Sequence, residues 1–332
     1  MEPIDEYLRS CLSVESASES GLAATILVPE DLQGPPGVAH GGAVAMFAYE
    51  MARALDRERP GDARGEALAG AFALDVSLSR ALPVGARLAG RATRAAPAAR
   101  DGDRDRARVC ARIERPDGTV IAEAAVGAAA RPRAGSFDLR DGSSDSRDES
   151  SDALRRLWEA RDEPPSEVPG TAMCLVCGQR NARGLRARLH YDRALVWKRL
   201  TPPASFRQSD GALFPGFAFA TLDEIGWWLG ALAAGECGLS TRLSFAVRGP
   251  IPHGEPLLLV GERARSVTDD PRRRVWRSRA ALVAESWRTV ATAEVTFAAS
   301  RAFTRSMAAG LFNASDREAV RRLFPNTLHE AS

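Results

Sequence analysis

Three short clusters hold the residues that could do chemistry. His40-Gly41-Gly42 opens an amphipathic helix pattern, VAHGGAVAMFAYEMARAL (38–55). A helix N-terminus carries free N–H groups and the positive end of the helix dipole, so it can hold a developing negative charge. Glycine there lets an incoming group approach the backbone closely. Asp223 and Glu224 lie inside a second helix pattern, ALFPGFAFATLDEIGWWLGAL (212–232). Leu222, Ile225 and Trp227 make that setting mostly apolar. A carboxylate there needs a reason, and burial would raise its pKa towards that of a general base. Cys174 and Cys177 form a C-x-x-C pair. Zinc takes about four ligands, and neither a second C-x-x-C nor an H-x-x-x-H follows, so a packed turn is expected and no metal.

Each cluster also has a plainer role open to it. His40 could be a local hydrogen-bonding residue at a helix start, and Gly41 and Gly42 could serve close packing. Glu224 and Glu50 suit pairing with arginines. Tyr49 suits core packing or substrate binding. Asn181 would cap the cysteine turn or line a cleft. Trp227 and Trp228 are adjacent and cannot share one helix face, so one is expected in the core and the other at an interface. Arg272, Arg273 and Arg274 would meet phosphate or form a solvated strand end.

Two matching stretches must position these residues. After the first helix comes an alternating run, FALDVSLSRALPVGARLAG (72–90), and after the second TRLSFAVRGPIPHGEPLLLVG (241–261). Pro83-x-Gly85 matches Pro252-x-Gly254 and Val126 matches Val295, both at a spacing of 169. One long helix followed by several antiparallel strand candidates predicts an α+β fold repeated twice, not a doubly wound one. Between the copies the chain is rich in Gly, Ser, Asp and Pro and reads as a linker, with a short helix expected over 153–161. The expected organisation is 1–130, a linker over 131–170, 171–305, and a helical tail over 306–332.

Composition narrows the function classes. The chain has 332 residues, 27% charged and 45% hydrophobic, which fits about two ordinary globular domains. A net charge of +2 gives no excess for nucleic-acid binding. Lys198 stands alone among 45 basic residues, so Schiff-base chemistry would rest on it. Five cysteines with one tight pair argue against a disulfide scaffold and for a reducing cytoplasm. No apolar run spans a membrane, and the start lacks the pattern of a signal peptide.

These residues resemble the hotdog fold, in which a curved antiparallel sheet wraps one long helix. The sharpest likeness is to acyl-CoA thioesterases of the phenylacetate-degradation and 4-hydroxybenzoyl-CoA type. Their helix opens with His-Gly-Gly and carries Asp or Glu nine positions after the His. Cys174-Leu-Val-Cys177-Gly178-x-x-Asn181-x-x-Gly184-Leu185 resembles a segment of such proteins, and VRGPIPHGEPL resembles their strand. The resemblance covers most of 20–130 and 172–300. It implies a tandem double hotdog acting on an acyl-CoA thioester, with coenzyme A as part of the substrate and no other cofactor. A non-catalytic acyl-CoA or aromatic-ligand binder, or a hydratase or dehydratase, is the alternative. A homodimer of pseudo-dimers is conceivable.

The copies differ in a readable way. Nine past His40 stands Tyr49, not an acid, with Glu50 next. Asp223 fits the acid position in the second copy, but nine before it stands Phe214, followed by Pro215, which has no N–H. Gly41 and the carboxylate position of one helix are about 12 Å apart at a rise of roughly 1.5 Å per residue, so one helix cannot easily supply both groups. Crosswise pairing of antiparallel helices joins His40, Gly41 and Gly42 to Asp223 in one site, with Thr241 as the nearby hydroxyl. The other site, with Tyr49, Glu50, Phe214 and Pro215, is expected to be dead, and Phe72 is the counterpart of Thr241 on that side.

Overall fold

The structure is a computed structural model that describes residues 2–57, 70–94, 109–128, 149–268, 272 and 274–325. Part of the expected linker (131–148), the end of the expected tail (326–332) and Arg273 lie outside the described residues.

The described strands form one thirteen-stranded sheet. In the first half they are β1 (Leu12–Ala17), β2 (Gly21–Leu27), β3 (Phe72–Leu78), β4 (Arg87–Arg94), β5 (Val109–Glu114) and β6 (Val120–Ala128). In the second they are β7 (Ser166–Glu167), β8 (His190–Tyr191), β9 (Leu195–Leu200), β10 (Gly238–Val247), β11 (Leu257–Glu262), β12 (Val275–Val283) and β13 (Thr289–Ala299). Their spatial order is β1-β2-β4-β5-β6-β3-β10-β13-β12-β11-β9-β8-β7, with antiparallel neighbours. Outward from the β3–β10 junction six strands on each side match, with β7 added at the end of the second half, so the expected fold class, an α+β repeat, is present as one continuous sheet.

The register repeats as well as the order. Leu74 pairs Val126, and 169 residues on, Leu243 pairs Val295. Val109 pairs Val126, and Ser278 pairs Val295. Gly90 pairs Ile113, and Leu259 pairs Leu282. Upstream the spacing is 174: Ile26 pairs Leu88, and Leu200 pairs Leu257. The first copy therefore carries five more residues between its long helix and β3. At the junction Asp75 pairs Ser244, its own counterpart at 169, so that pair sits on the pseudo-twofold axis.

The helices in chain order are α1 (Ile4–Ser10), α2 (Gly41–Arg57), α3 (Glu149–Glu159), α4 (Gly216–Ala234), α5 (Arg301–Ser306) and α6 (Arg317–Leu323). α2 and α4 are the two expected long helices and pack against each other. α4 is buried on every side from Gly216 to Gly226 and ends at Gly235, whose φ of 65° is left-handed. One apolar cluster runs through both halves. A second, with Leu195, Leu258 and Val260, lies under Leu154, Leu157 and Trp158 of α3. This helix starts four residues before the stretch expected at 153–161 and ends two before its end. No helix among the described residues is long and apolar enough to cross a membrane.

Candidate active site

The candidate site residues His40, Gly41, Gly42 and Asp223 meet where α2 and α4 cross. A loop brings the chain to α2 through the Gln33–Ala39 bridge, and the His40 N–H donates to Leu32 O at 2.9 Å. The His40 carbonyl accepts from Ala43 N–H at 2.9 Å, so His40 caps the helix. Gly42 lies against α4: a Cβ there would stand 2.5 Å from Ala220 Cα. That contact sets Asp223, one turn further along α4 than Ala220, over the start of α2.

Asp223 is 3% exposed, and its carboxylate is fully engaged. Oδ2 accepts from Gly42 N–H at 2.9 Å and lies 3.1 Å from His40 Nδ1. Oδ1 accepts from the Ser240 hydroxyl at 2.7 Å. A Cβ at residue 41 would stand 2.6 Å from Oδ2, so only glycine leaves the carboxylate its place. The Gly41 N–H has no hydrogen-bond partner among the described residues, and Gly41 faces the cleft. Glu224 is also buried; its Oε2 lies 3.0 Å from His40 Nε2 and its Oε1 accepts from Trp228 Nε1 at 3.2 Å.

His40 thus bridges two carboxylates. Burial alone would lower its pKa, but the charge of Asp223 and the hydrogen bonds to Asp223 and Glu224 outweigh this and hold it well above the usual histidine value. As an imidazolium it satisfies both acids at once. The Gly42 N–H, 3.1 Å from Nδ1, can donate to that nitrogen only when it carries no proton.

These groups open on a cleft of about 950 Å³, counting its mouth. Val44, Leu78, Leu239, Met307 and Phe312 give it apolar walls, with Arg80 at the rim. Both tryptophans border it, with rings 4.9 Å apart at 82°. Trp228 is the one in the core, as expected; Trp227 is partly buried, and both border the cleft. Met307 and Phe312 come from the segment after α5, and Phe312 stacks on Trp228 at 6.1 Å. Sequence reasoning missed both, since no local signal ties that segment to the site.

Other assignments shift. The hydroxyl on Asp223 belongs to Ser240; Thr241 borders the cleft but donates to Thr296 O at 3.2 Å. β10 has an irregular register between Ser240 and Arg242, and such a bulge re-aims side chains. Glu224 meets His40 and Trp228 rather than an arginine, whereas Glu50 does pair with Arg53 at 2.8 Å. Asn181 is not in the cleft; its Oδ1 accepts from the Arg183 and Gly184 N–H groups and its Nδ2 donates to Asp31 O and Met173 O, fixing the cysteine turn. Arg274 is ion-paired with Glu236.

The pseudosymmetric position is filled with rings. Tyr49 stands at the position that matches Asp223, and it contacts Phe214 at 5.8 Å, Phe219 at 5.7 Å and Phe72 at 5.0 Å. All four are buried, and the counterpart of Ser240 is Ala71. Pro215 precedes α4, where Gly41 stands at the start of α2.

No family model matches the chain, and neither does any curated protein. Solved structures do. One described as a thioesterase of Novosphingobium aromaticivorans DSM 12444 aligns with a TM-score of 0.52 at 18% identity, covering 87% of this chain and 98% of its own. A tesB protein of Mycobacterium avium subs paratuberculosis aligns at 0.51 and 11% identity, over 89% and 99%. The fold is a double hotdog. The dehydratase domain of PpsC from Mycobacterium tuberculosis, in complex with C12:1-CoA, shares it at 0.50 and 19% identity, over 87% and 98%. At these identities the likeness is one of fold.

Proposed function

We propose that this chain hydrolyses acyl-CoA thioesters at a single site built from both hotdogs. The observation that carries this reading is the Asp223 carboxylate of α4 seated on the glycine start of α2, beside the unpartnered Gly41 N–H. The thioester carbonyl would accept from Gly41, whose N–H meets the negative charge that develops there. Asp223 would take a proton from water attacking the same carbon, or attack it directly to give a mixed anhydride that water then hydrolyses. The C–S bond breaks, coenzyme A leaves as the thiol and the acyl group leaves as the acid. His40 lies against one oxygen of the Asp223 carboxylate, and Ser240 holds the other. The apolar walls suit the acyl group.

A second reading has one observation in its favour. His40 and Asp223, 3.1 Å apart, are a His/Asp pair across the two halves, as a hydratase or dehydratase of an enoyl thioester would use. A panel of acyl-CoAs in a free-thiol assay separates the readings. Thiol release that Asp223→Asn and Gly41→Pro each reduce by about a hundredfold or more is expected. Full turnover in both variants sinks the composite site. Loss of enoyl absorbance without thiol supports the second reading, and binding without either change makes the protein a carrier.

A further inference from the structure

The C-x-x-C pair has no partner pair in sequence, yet the fold brings it two. Cys174 Sγ lies 3.7 Å from Glu224 Oε2, which lies 3.0 Å from His40 Nε2, and the three ligand atoms are all within 4.8 Å of one another. All three residues are more than nine-tenths buried and border the cleft. We propose that His40, Cys174 and Glu224 form a three-ligand site for a thiophilic divalent cation, Zn²⁺, with a fourth position open to the cleft.

Three features support it. Zn–N and Zn–O bonds of about 2.0–2.2 Å and a Zn–S bond of about 2.3 Å set tetrahedral ligands about 3.3–3.8 Å apart, so two of the three edges are already close to their final lengths. The turn is shaped for a thiolate: the N–H groups of Val176 and Cys177 point at Cys174 Sγ from 3.3 and 3.4 Å, and Gly178 closes the turn where any Cβ would strike the Cys174 backbone. The ligands also have outer partners. His40 Nδ1 faces Asp223, and Glu224 Oε1 holds Trp228 Nε1, the arrangement that orients metal-bound histidine and carboxylate. On binding, Cys174 Sγ and His40 Nε2 release the protons they carry, and the cation takes their place. A sulfur, a nitrogen and an oxygen suit zinc and not Mg²⁺ or Ca²⁺.

Titration of the metal-free full chain with Co²⁺, followed by absorbance, tests this without any turnover, so failure of the hydrolase reading leaves its outcome intact. Expected are one Co²⁺ per chain, a thiolate charge-transfer band, displacement by Zn²⁺ and none by Mg²⁺. Cys174→Ser and Glu224→Gln should each weaken binding at least tenfold, while Cys177→Ser keeps it. Absence of the sulfur band at stoichiometric Co²⁺ overturns the proposal. So does unchanged affinity in folded Cys174→Ser, or in Glu224→Gln should the cysteine variant fail to fold, and so does loss of the site in Cys177→Ser alone.

Discussion

In the metal-free chain His40 is a cation held between two acids, and this has a direct consequence for the stability of that form. Its folded pKa lies above its unfolded value of about 6.5. The stabilisation is therefore fully present below the unfolded value and is lost as pH rises through the folded one. The melting-temperature gap between the metal-free wild-type chain and His40→Gln should be several degrees at about pH 6 and should shrink as pH rises through the folded value. A gap that grows with pH would refute the imidazolium. At this scale much was legible: Gly41 and Asp223 could be paired from spacing, from the missing N–H of Pro215 and from the missing acid at Tyr49. The hydroxyl was not. A strand alternates its faces, so an error of one residue picks the opposite side, and the bulge at Thr241 makes that error unavoidable from sequence alone. Glu224 lies beside the candidate site rather than against an arginine, and its partners there, His40 and Cys174, were not legible because they lie 184 and 50 residues away.

Among the elements, the crossing of α2 and α4 decides whether the site exists. The two backbones touch at Gly42 and Ala220, with no room for a methyl group. Gly42→Ala should force the helices apart, cost about 1–3 kcal/mol by overpacking and reduce thiol release as well; chemical denaturation reads the first and the thiol assay the second. A stable, fully active variant would mean that the crossing tolerates drift. Helices and the strands after them were legible from their periods, and the spacing of 169 proved to be a register as well as a motif distance. The strands before each long helix, β1 and β2 in one half and β8 and β9 in the other, were not anticipated. β8 has only two residues, too few to show a period.

Across the whole molecule, the two sites of a symmetric pair have taken different materials. One holds charge and water-accessible space; the other is closed by Tyr49, Phe214, Phe219 and Phe72 and serves as core. Tyr49→Ala should cost about 3–5 kcal/mol, as truncation of a buried aromatic does, yet leave turnover at the Asp223 site unchanged. If melting is unaffected while turnover falls, Tyr49 is serving substrate and the second site is not dead. The asymmetry extends to the outer surface, where α3 covers apolar residues on the second half of the sheet alone, among the described residues. It extends also to the cleft, where Met307 and Phe312 wall the candidate site from beyond the repeat.

The β3–β10 junction shows what joining the halves permits. In a true homodimer, the residue on the axis faces its own copy. Two copies of the first half would set Asp75 against Asp75, like charges about 5 Å apart across a strand pair. In the joined chain that place is taken by Ser244. The first half has thus accepted a residue that penalises pairing with itself, and its natural partner is the half to which it is already tied.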